Sequence, residues 1–458
     1  AHSVQLRIAL QCKATPNHMR FAAAMFTLCA LALTGDEIPR HVLDLARIKR
    51  RMTDELNRLP NYTCLETIDR YSAVKGGKMK PFDRIRIQVA IVDGKELYSW
   101  PGATRFDDRS LADMVNNGFI SDGDFAAMAR NVFVNRTAII TFAGRETRDG
   151  REVLRYNFEI SHMRSGWHVR LRNASGIVGA KGWFDVDTAT LDLVRFSFAA
   201  QDLPPFSTDK SLEETAEYGR VPLGGSEILI PLAVDLHSEA INSDSRWNHT
   251  TFTACRQYTA ESSISFAEEN AAIIPATAIA AKEEVQALPS GLEIPLKLDT
   301  PIDSAHAAVG DEILAIVSKN VRMGHETILP SGAVVKGVIR RLDRHRGSRP
   351  YFEVGIELTE AAYSRHRAIV YGKLEELSAF RGMHRNVVGF TTLVDPPPGP
   401  GVGYFYVEGD AFVIPKGQAL TWLTQPLPHP VAELVINCWT CISCSRWACW
   451  PCCLSPLR

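Results

Sequence analysis

RIRIQVAIVDGKELYSW, residues 84–100, decides the fold class. Ile85, Ile87, Val89 and Ile91 alternate with Arg84, Arg86, Gln88 and Ala90. A period of two puts one side chain set on a buried face and the other toward water, which is a strand and not a helix. Asp93-Gly94 then supplies the two residues that tolerate positive φ in a tight hairpin. The return strand runs through Leu97, Tyr98 and Trp100. Downstream, Asp149-Gly150 leads into REVLRYNFEI (151–160), where Leu154, Tyr156, Phe158 and Ile160 repeat the alternation. Residues 167–171, 182–187, 193–198, 228–236 and 250–258 read as further antiparallel strands.

Helical signals frame this sheet. Over residues 36–59, Val42, Leu45, Ile48, Met52, Leu56 and Leu59 recur at three- and four-residue steps with Arg and Lys between them, and Pro60 ends the run. A short helical insert follows the first hairpin, capped by Ser121 or Asp122, with Phe125, Met128, Ala129 and Val132 as its apolar stripe. Residues 36–268 therefore read as helix, long antiparallel sheet, helical insert, more sheet. Residues 269–290 are Ala-rich without alternation and read as a linker. Alternation returns at Leu292, Ile294, Leu296 and Leu298, and again at Phe352, Val354, Ile356 and Leu358. Residues 291–425 are expected to form a small all-β barrel or sandwich. The expected class is α+β: an open antiparallel half-barrel with helical plugs, then this second β domain.

The chain has 458 residues, 45% hydrophobic and 22% charged, which suits two or three folded domains and excludes a disordered chain. With 51 Lys plus Arg against 52 Asp plus Glu, it is not a globally basic nucleic-acid binder. No apolar run reaches the ~18 residues of a spanning helix, which argues against a chain that crosses a membrane repeatedly with helices. Met19-Arg20 precedes an uncharged run, FAAAMFTLCALAL (21–33), and Ala30-Leu31-Ala32 has the form of a signal-peptidase site. A short buried helix is the alternative. The expectation is an upstream segment and signal peptide over 1–35 and a periplasmic or secreted product.

Ten cysteines are unevenly spread. Cys12 and Cys29 precede the expected cleavage point, and Cys438, Cys441, Cys444, Cys449, Cys452 and Cys453 crowd the end. The tail, residues 426–458, breaks from the body in composition and is expected to be unstructured or non-native. A metal site or a disulfide knot is the alternative, but the spacings fit neither iron–sulfur pattern, and no Gly follows the Cys pairs. Only Cys64 and Cys255 remain in the body. In an oxidising compartment they can pair, Cys64 opening the first strand and Cys255 lying in the last. Two buried free thiols are the alternative.

Catalytic signatures do not appear. There is no nucleophile elbow, phosphate loop or zinc-protease helix. Gly176, Gly179 and Gly182 lie between strands with no helix after them, so they read as glycines that allow close strand packing. Asp185, Asp187 and Asp192 lack the central Gly and terminal Glu of a calcium loop. No metal site and no cofactor are expected. The densest charge feature is Lys336, Arg340, Arg341, Arg344, His345, Arg346 and Arg349 around Gly347-Ser348. It reads as a solvated hairpin tip, or as a surface (Arg340, Arg341, Arg344, Arg346) for an acidic partner such as lipid headgroups or an anionic envelope polymer.

VDGKELYSWPG (92–102) and GWFDVDTATLDLVRF (182–196), with the order of elements over 36–268, resemble the outer-membrane lipoprotein-carrier family. That resemblance implies an open half-barrel holding acyl chains. The same half-barrel followed by a second β-domain is similar to periplasmic regulators of envelope-stress sigma factors. LKLDTPIDSAHAAVGDEILAIVSKNV (296–321) and ILPSGAVVKGVI (328–339) resemble the outer-core scaffold of type IV secretion and conjugation systems. The long helical antenna of that family is not evident.

The expected function is non-enzymatic binding of an apolar or acylated ligand in the cell envelope. Burial of acyl surface at about 25 cal/mol per Å² needs no catalytic group. Ile87, Val89, Tyr98, Trp100, Trp183, Phe196 and Phe198 are the candidate lining residues, with ordinary core packing against the helices as the alternative for each. The second expectation is an interaction scaffold or stress regulator that docks an envelope protein through the second domain. A large apolar cavity in the first domain separates the former from the latter, which calls for a filled barrel and an exposed apolar patch on the second.

Overall fold

The computed structural model describes residues 38–428 except 93, 104–105, 107–108, 116–118, 122–123, 172–173, 259–285, 347–348, 365, 379–381 and 385–399. The expected signal segment, most of the linker, the Cys-rich tail and the Gly347-Ser348 turn lie outside the described residues.

Helix α1 (Arg40–Arg58) turns Asp44, Ile48, Met52 and Leu56 inward at four-residue steps. Val42, expected on the apolar stripe, is 46% exposed, because the inward position of that first turn belongs to Asp44. Eleven strands follow in one antiparallel sheet. They are β1 (Tyr62–Ala73), β2 (Lys80–Val92), β3 (Lys95–Ser99), β4 (Ile139–Arg148), β5 (Arg151–Ile160), β6 (Trp167–Leu171), β7 (Ala174–Asp187), β8 (Leu193–Gln201), β9 (Asp209–Leu223), β10 (Ser226–Ala240) and β11 (Ser245–Gln257). Their spatial order is β3-β2-β1-β11-β10-β9-β8-β7-β5-β4, with β6 added on β7. First and last strands thus lie side by side, with Ile68 opposite Thr250.

The sheet curls into a half-barrel around its helices. Besides α1 these are α2 (Leu111–Met114), α3 (Asp124–Phe133) and α4 (His162–Ser165). Under α1 and α3 the concave face of β5, β7 and β8 is packed solid. Phe133 meets Phe184 edge-on at 5.0 Å, and Phe158 stacks on Phe196 at 5.3 Å. Aromatic pairs at such spacings add to the burial of their large faces. Gly182 belongs to this packing: a β-carbon there would collide with the Ser197 carbonyl and the Phe158 ring.

The second half of the chain builds a second, smaller β unit. Its strands are β12 (Gln286–Ala287), β13 (Glu293–Leu298), β14 (Ile302–Asp303), β15 (Glu312–Val317), β16 (Val321–Met323), β17 (Glu326–Leu329), β18 (Val334–His345), β19 (Tyr351–Tyr363), β20 (His366–Ile369), β21 (Gly372–Leu377), β22 (Met383–His384), β23 (Val402–Glu408), β24 (Val413–Ile414) and β25 (Ala419–Thr424). Ten of them share one sheet, ordered β12-β20-β19-β18-β15-β13-β25-β21 with β23 also on β19. Gly403 of β23 lies against Leu374 of β21 and the Trp422 ring, so the sheet curls back on itself around Trp422, which is 1% exposed. The interior is filled.

The two units meet along the edge of β2 that β3 leaves uncovered. Val309 inserts there: Arg86 N–H donates to its carbonyl at 2.7 Å, and its own N–H donates to Arg84 at 2.8 Å. Arg86 reaches both Asp311 oxygens at 2.5 and 2.7 Å. Arg346 donates to the Pro81 carbonyl, and the Arg340 guanidinium lies 4.6 Å above the Trp100 ring. Covering an exposed edge in this way blocks pairing with foreign strands.

Candidate functional site

Between the hairpin β2–β3 and strand β10, the concave face of the half-barrel is not filled by helices. The first strand sets one wall. Its alternation turns Tyr62, Cys64, Glu66 and Ile68 inward. Val89 and Ile91 of β2, with Tyr98 of β3, continue that wall. Leu229, Ile230, Val234 and Leu236 of β10 and Phe252 of β11 form the opposite side. Leu56 and Leu59 at the end of α1, Ile120, and Ala126 of α3 roof it. The centre of a water-sized sphere can explore about 80 Å³ of this cavity, against about 10 Å³ inside the second β unit.

The cavity is apolar in its body and polar at its rim. Arg130 of α3 donates to the Leu56 carbonyl at 3.0 Å and packs over Gly94 at the hairpin tip, tying roof to wall. Ser121 donates to the buried Glu214 at 2.8 Å, and Asn248 donates to the Phe119 carbonyl at 2.7 Å. Tyr98 donates to Glu96. Burial, and then the Glu96 charge, push the Tyr62 hydroxyl far above its ordinary value. Burial does the same to Tyr218, aided by Tyr62 and Glu214. Both phenols therefore remain neutral donors at any physiological pH. Among the described lining residues there is no histidine, and the one cysteine, Cys64, is bonded to Cys255 with their Cα atoms 4.1 Å apart. The arrangement can hold an apolar chain and orient a polar end.

Of the seven expected lining residues, the structure brings Val89 and Tyr98 to this cavity. Ile87 is fully buried in the core shared with the second β unit. Trp100 lies under Arg340 at the seam. Phe196 and Phe198 are core beneath the helices. Trp183 points to the other face of the sheet, where the Arg155 guanidinium covers it at 4.0 Å. The packed half holds Phe133, Phe158, Phe184, Phe196 and Phe198. The cavity is lined by aliphatics, by Tyr62, Tyr98, Tyr218 and Phe252, and by Glu66, an inward carboxylate that alternation alone would have flagged at a core position.

The expected basic surface is also redistributed. Arg340, Arg341 and Arg344 lie within β18, not at a hairpin tip. Arg340 pairs with Glu357, Arg341 with Asp343 at 2.7 Å and Glu353 at 3.1 Å, and Arg344 with Asp410 at 3.0 Å. Arg346 is held at Pro81. The opposite strand β19 supplies Glu353 and Glu357, β18 itself Asp343, and the turn after β23 Asp410. Asp343, His345 and Glu353 bring ligand-type atoms within 4.8 Å of one another, but the Arg341 guanidinium already sits on both carboxylates and supplies the positive charge a cation would bring. The three aspartates of the β7–β8 region part company: Asp185 takes Arg155, Asp187 caps the turn at Ala189 and Thr190, and Asp192 takes Arg51 and Arg220.

No protein family model matches the chain, and no curated protein matches it. Solved structures similar to part of the chain include the following three. A DUF1329 family protein from Desulfovibrio piger is 11% identical, with a TM-score of 0.27, covering 48% of this chain and 92% of its own. A LolA superfamily protein from Nitrosomonas europaea is 12% identical, with a TM-score of 0.25, covering 47% and 94%. A candidate outer-membrane lipoprotein-sorting domain from Vibrio parahaemolyticus is 9% identical, with a TM-score of 0.26, covering 47% and 91%. The resemblance of 296–339 to the secretion outer-core scaffold finds no support among them. Among the described residues, no helix is long and apolar enough to cross a membrane.

Proposed function

We propose that this protein is a non-enzymatic cell-envelope protein that holds the apolar or acyl chain of a ligand in its half-barrel. One observation carries the reading: the unfilled space on the concave face is lined by aliphatic and aromatic side chains with polar groups at its rim and roofed by α1 and α3, while the second β unit is filled around Trp422. An apolar chain entering it leaves water at about 25 cal/mol per Å².

The test is displacement of a fluorescent fatty-acid probe from the full chain, with native mass spectrometry of protein purified from a bacterial envelope. Val234 is 4% exposed and points into the cavity. A Val234→Phe side chain would block about 60 Å² of apolar contact, or about tenfold in affinity. Weakened probe binding at an unchanged melting temperature supports the reading. No probe binding by the parent protein, and no co-purifying lipid, overturns it.

A further inference from the structure

Not every cation of the 336–349 cluster has a carboxylate: Lys336, Arg346 and Arg349 have no ion pair among the described residues, and a second group of such cations lies on α1. That helix carries six Arg or Lys and three Asp or Glu in RHVLDLARIKRRMTDELNR. Two of the acids are committed: Asp44 lies 3.7 Å from Arg47, and Glu55 is held by Arg220 at 2.8 Å. Arg51 is taken by Asp192. Among the described residues, Lys49, Arg50 and Arg58 have no ion-pair partner, and neither does Arg136, which follows α3. Lys49, Arg50 and Arg136 line one groove together with Thr53 and with Asp54, the third acid of the helix, so the groove carries three cations and one carboxylate.

Two further observations set this face apart from an ordinary solvated helix. Arg136 holds φ at +55°, a conformation that costs an arginine backbone free energy a glycine would not lose. The turn is fixed there by Thr137, whose N–H and hydroxyl both bond the Asn131 carbonyl. Lys49 is lowered from the ordinary lysine value, by burial first and by the charge of Arg136 second. Lys49 and Arg136 thus lie close enough to feel each other's charge. At the start of the same helix, Ile38, Val42 and Leu43 are 58%, 46% and 44% exposed.

We propose that the outward face of α1, with Arg136, docks on an anionic lipid bilayer surface. Cations near such a surface gain attraction to the headgroups, and exposed aliphatics beside them enter the headgroup boundary. A bilayer fits better than a polar anionic polymer because the charges are contiguous with Ile38, Val42 and Leu43. The same helix ends in Leu56 and Leu59, which roof the cavity, so docking brings the roof to the membrane. The inference stands on this surface and not on the cavity, and the two can fail separately.

Co-sedimentation of the full chain with phosphatidylcholine vesicles, with and without one quarter phosphatidylglycerol, tests it. Binding is expected only with the anionic lipid and is expected to weaken as salt rises. Arg50→Gln with Arg136→Gln is expected to reduce partitioning about thirtyfold, taking each cation near the surface at about fivefold. A control with the same charge loss, Lys297→Gln with Lys319→Gln on the second β unit, is expected to bind as the parent does. Circular dichroism melts show whether each variant folds. Absence of binding to anionic vesicles at low salt overturns the proposal, as does equal loss in both double variants. Retention by a soluble anionic polymer with no vesicle binding would overturn it in favour of a polymer site.

Discussion

Gly310→Ala should uncouple the two β units. Gly310 has φ +101°, and a β-carbon there would collide with the Arg86 carbonyl oxygen. The protein has two ways to respond. It can keep the loop in place and bear both the collision and a backbone conformation that costs about 1–3 kcal/mol outside glycine. Or it can release the loop and lose the bonds that dock it. Those are Arg86 to Val309 at 2.7 Å and Val309 to Arg84 at 2.8 Å, with the Arg86–Asp311 pair. At about 1 kcal/mol for each backbone bond and up to about 1 for a half-exposed ion pair, release costs roughly 2–3 kcal/mol. Release is the cheaper route and therefore sets the limit. Gly417→Ala is the control, since Gly417 has φ +90° with open space where the β-carbon would go. Hydrogen exchange read at Arg86 and Val309, alongside urea unfolding, measures the effect. Protection at those amides should fall in Gly310→Ala and persist in Gly417→Ala. Equal stability loss in the two variants, with Arg86 and Val309 still protected, would show that the edge insertion does not hold the units together.

Two further perturbations act inside the half-barrel. Cys64→Ala with Cys255→Ala opens a link across 191 residues, for which the chain-entropy model gives an upper figure of about 5 kcal/mol. The urea midpoint should fall, and reduced parent protein should match the double variant; an unchanged midpoint would contradict the bond. Asp192→Asn removes the carboxylate that accepts from Arg51 and Arg220 at 2.8 Å each. Burial raises its pKa, but bonds from Arg220 and then Arg51 outweigh burial and leave it below the ordinary value. A lowered acid contributes stability above its unfolded pKa and loses it as pH falls through the folded one. A cost of roughly 1–2 kcal/mol is expected at pH 7, shrinking below about pH 4, in thermal melts across pH.

Strict alternation at 84–100 and 151–160 was enough to read an antiparallel sheet, because a period of two has no helical counterpart. The pairing of Cys64 with Cys255 was also legible, since it required only that first and last strands be neighbours. Strand β9 was not. DKSLEETAEYGRVPL turns Leu212, Glu214 and Ala216 inward, and a buried glutamate breaks the apolar signal while its run of Glu and Ala favours helix. Its strand state comes from pairing with β8 and β10 on either side. The cations failed for a related reason. Local density made 340–346 conspicuous, yet what decides whether an arginine is free is the residue opposite it. Glu353, Glu357 and Asp410 lie on strands or turns that density does not see.

The hairpin β2–β3 serves both units, which ties the second β unit to the cavity without its lining any of it. A two-stranded hairpin is marginal by itself in water. Here β2 has β1 along one edge, β3 along part of the other, and Val309 at the part β3 leaves open. Val89 and Tyr98 face the cavity, while Ile85 and Ile87, on the same face of β2 as Val89, lie in the core that runs on into the second unit. At the tip, Arg130 packs over Gly94 and holds the Leu56 carbonyl. The cavity wall is therefore held at its base by a loop from residues 306–311 and at its tip by the helix that roofs the cavity. Movement of the second unit away from β2 would free the base of the wall before the tip. Widening the cavity from the base of this wall would displace the Val309 insertion, the Arg86–Asp311 pair, the Arg346 bond to Pro81 and the Arg340–Trp100 contact, and would open the apolar core the two units share, leaving the aromatic core under α1 and α3 intact.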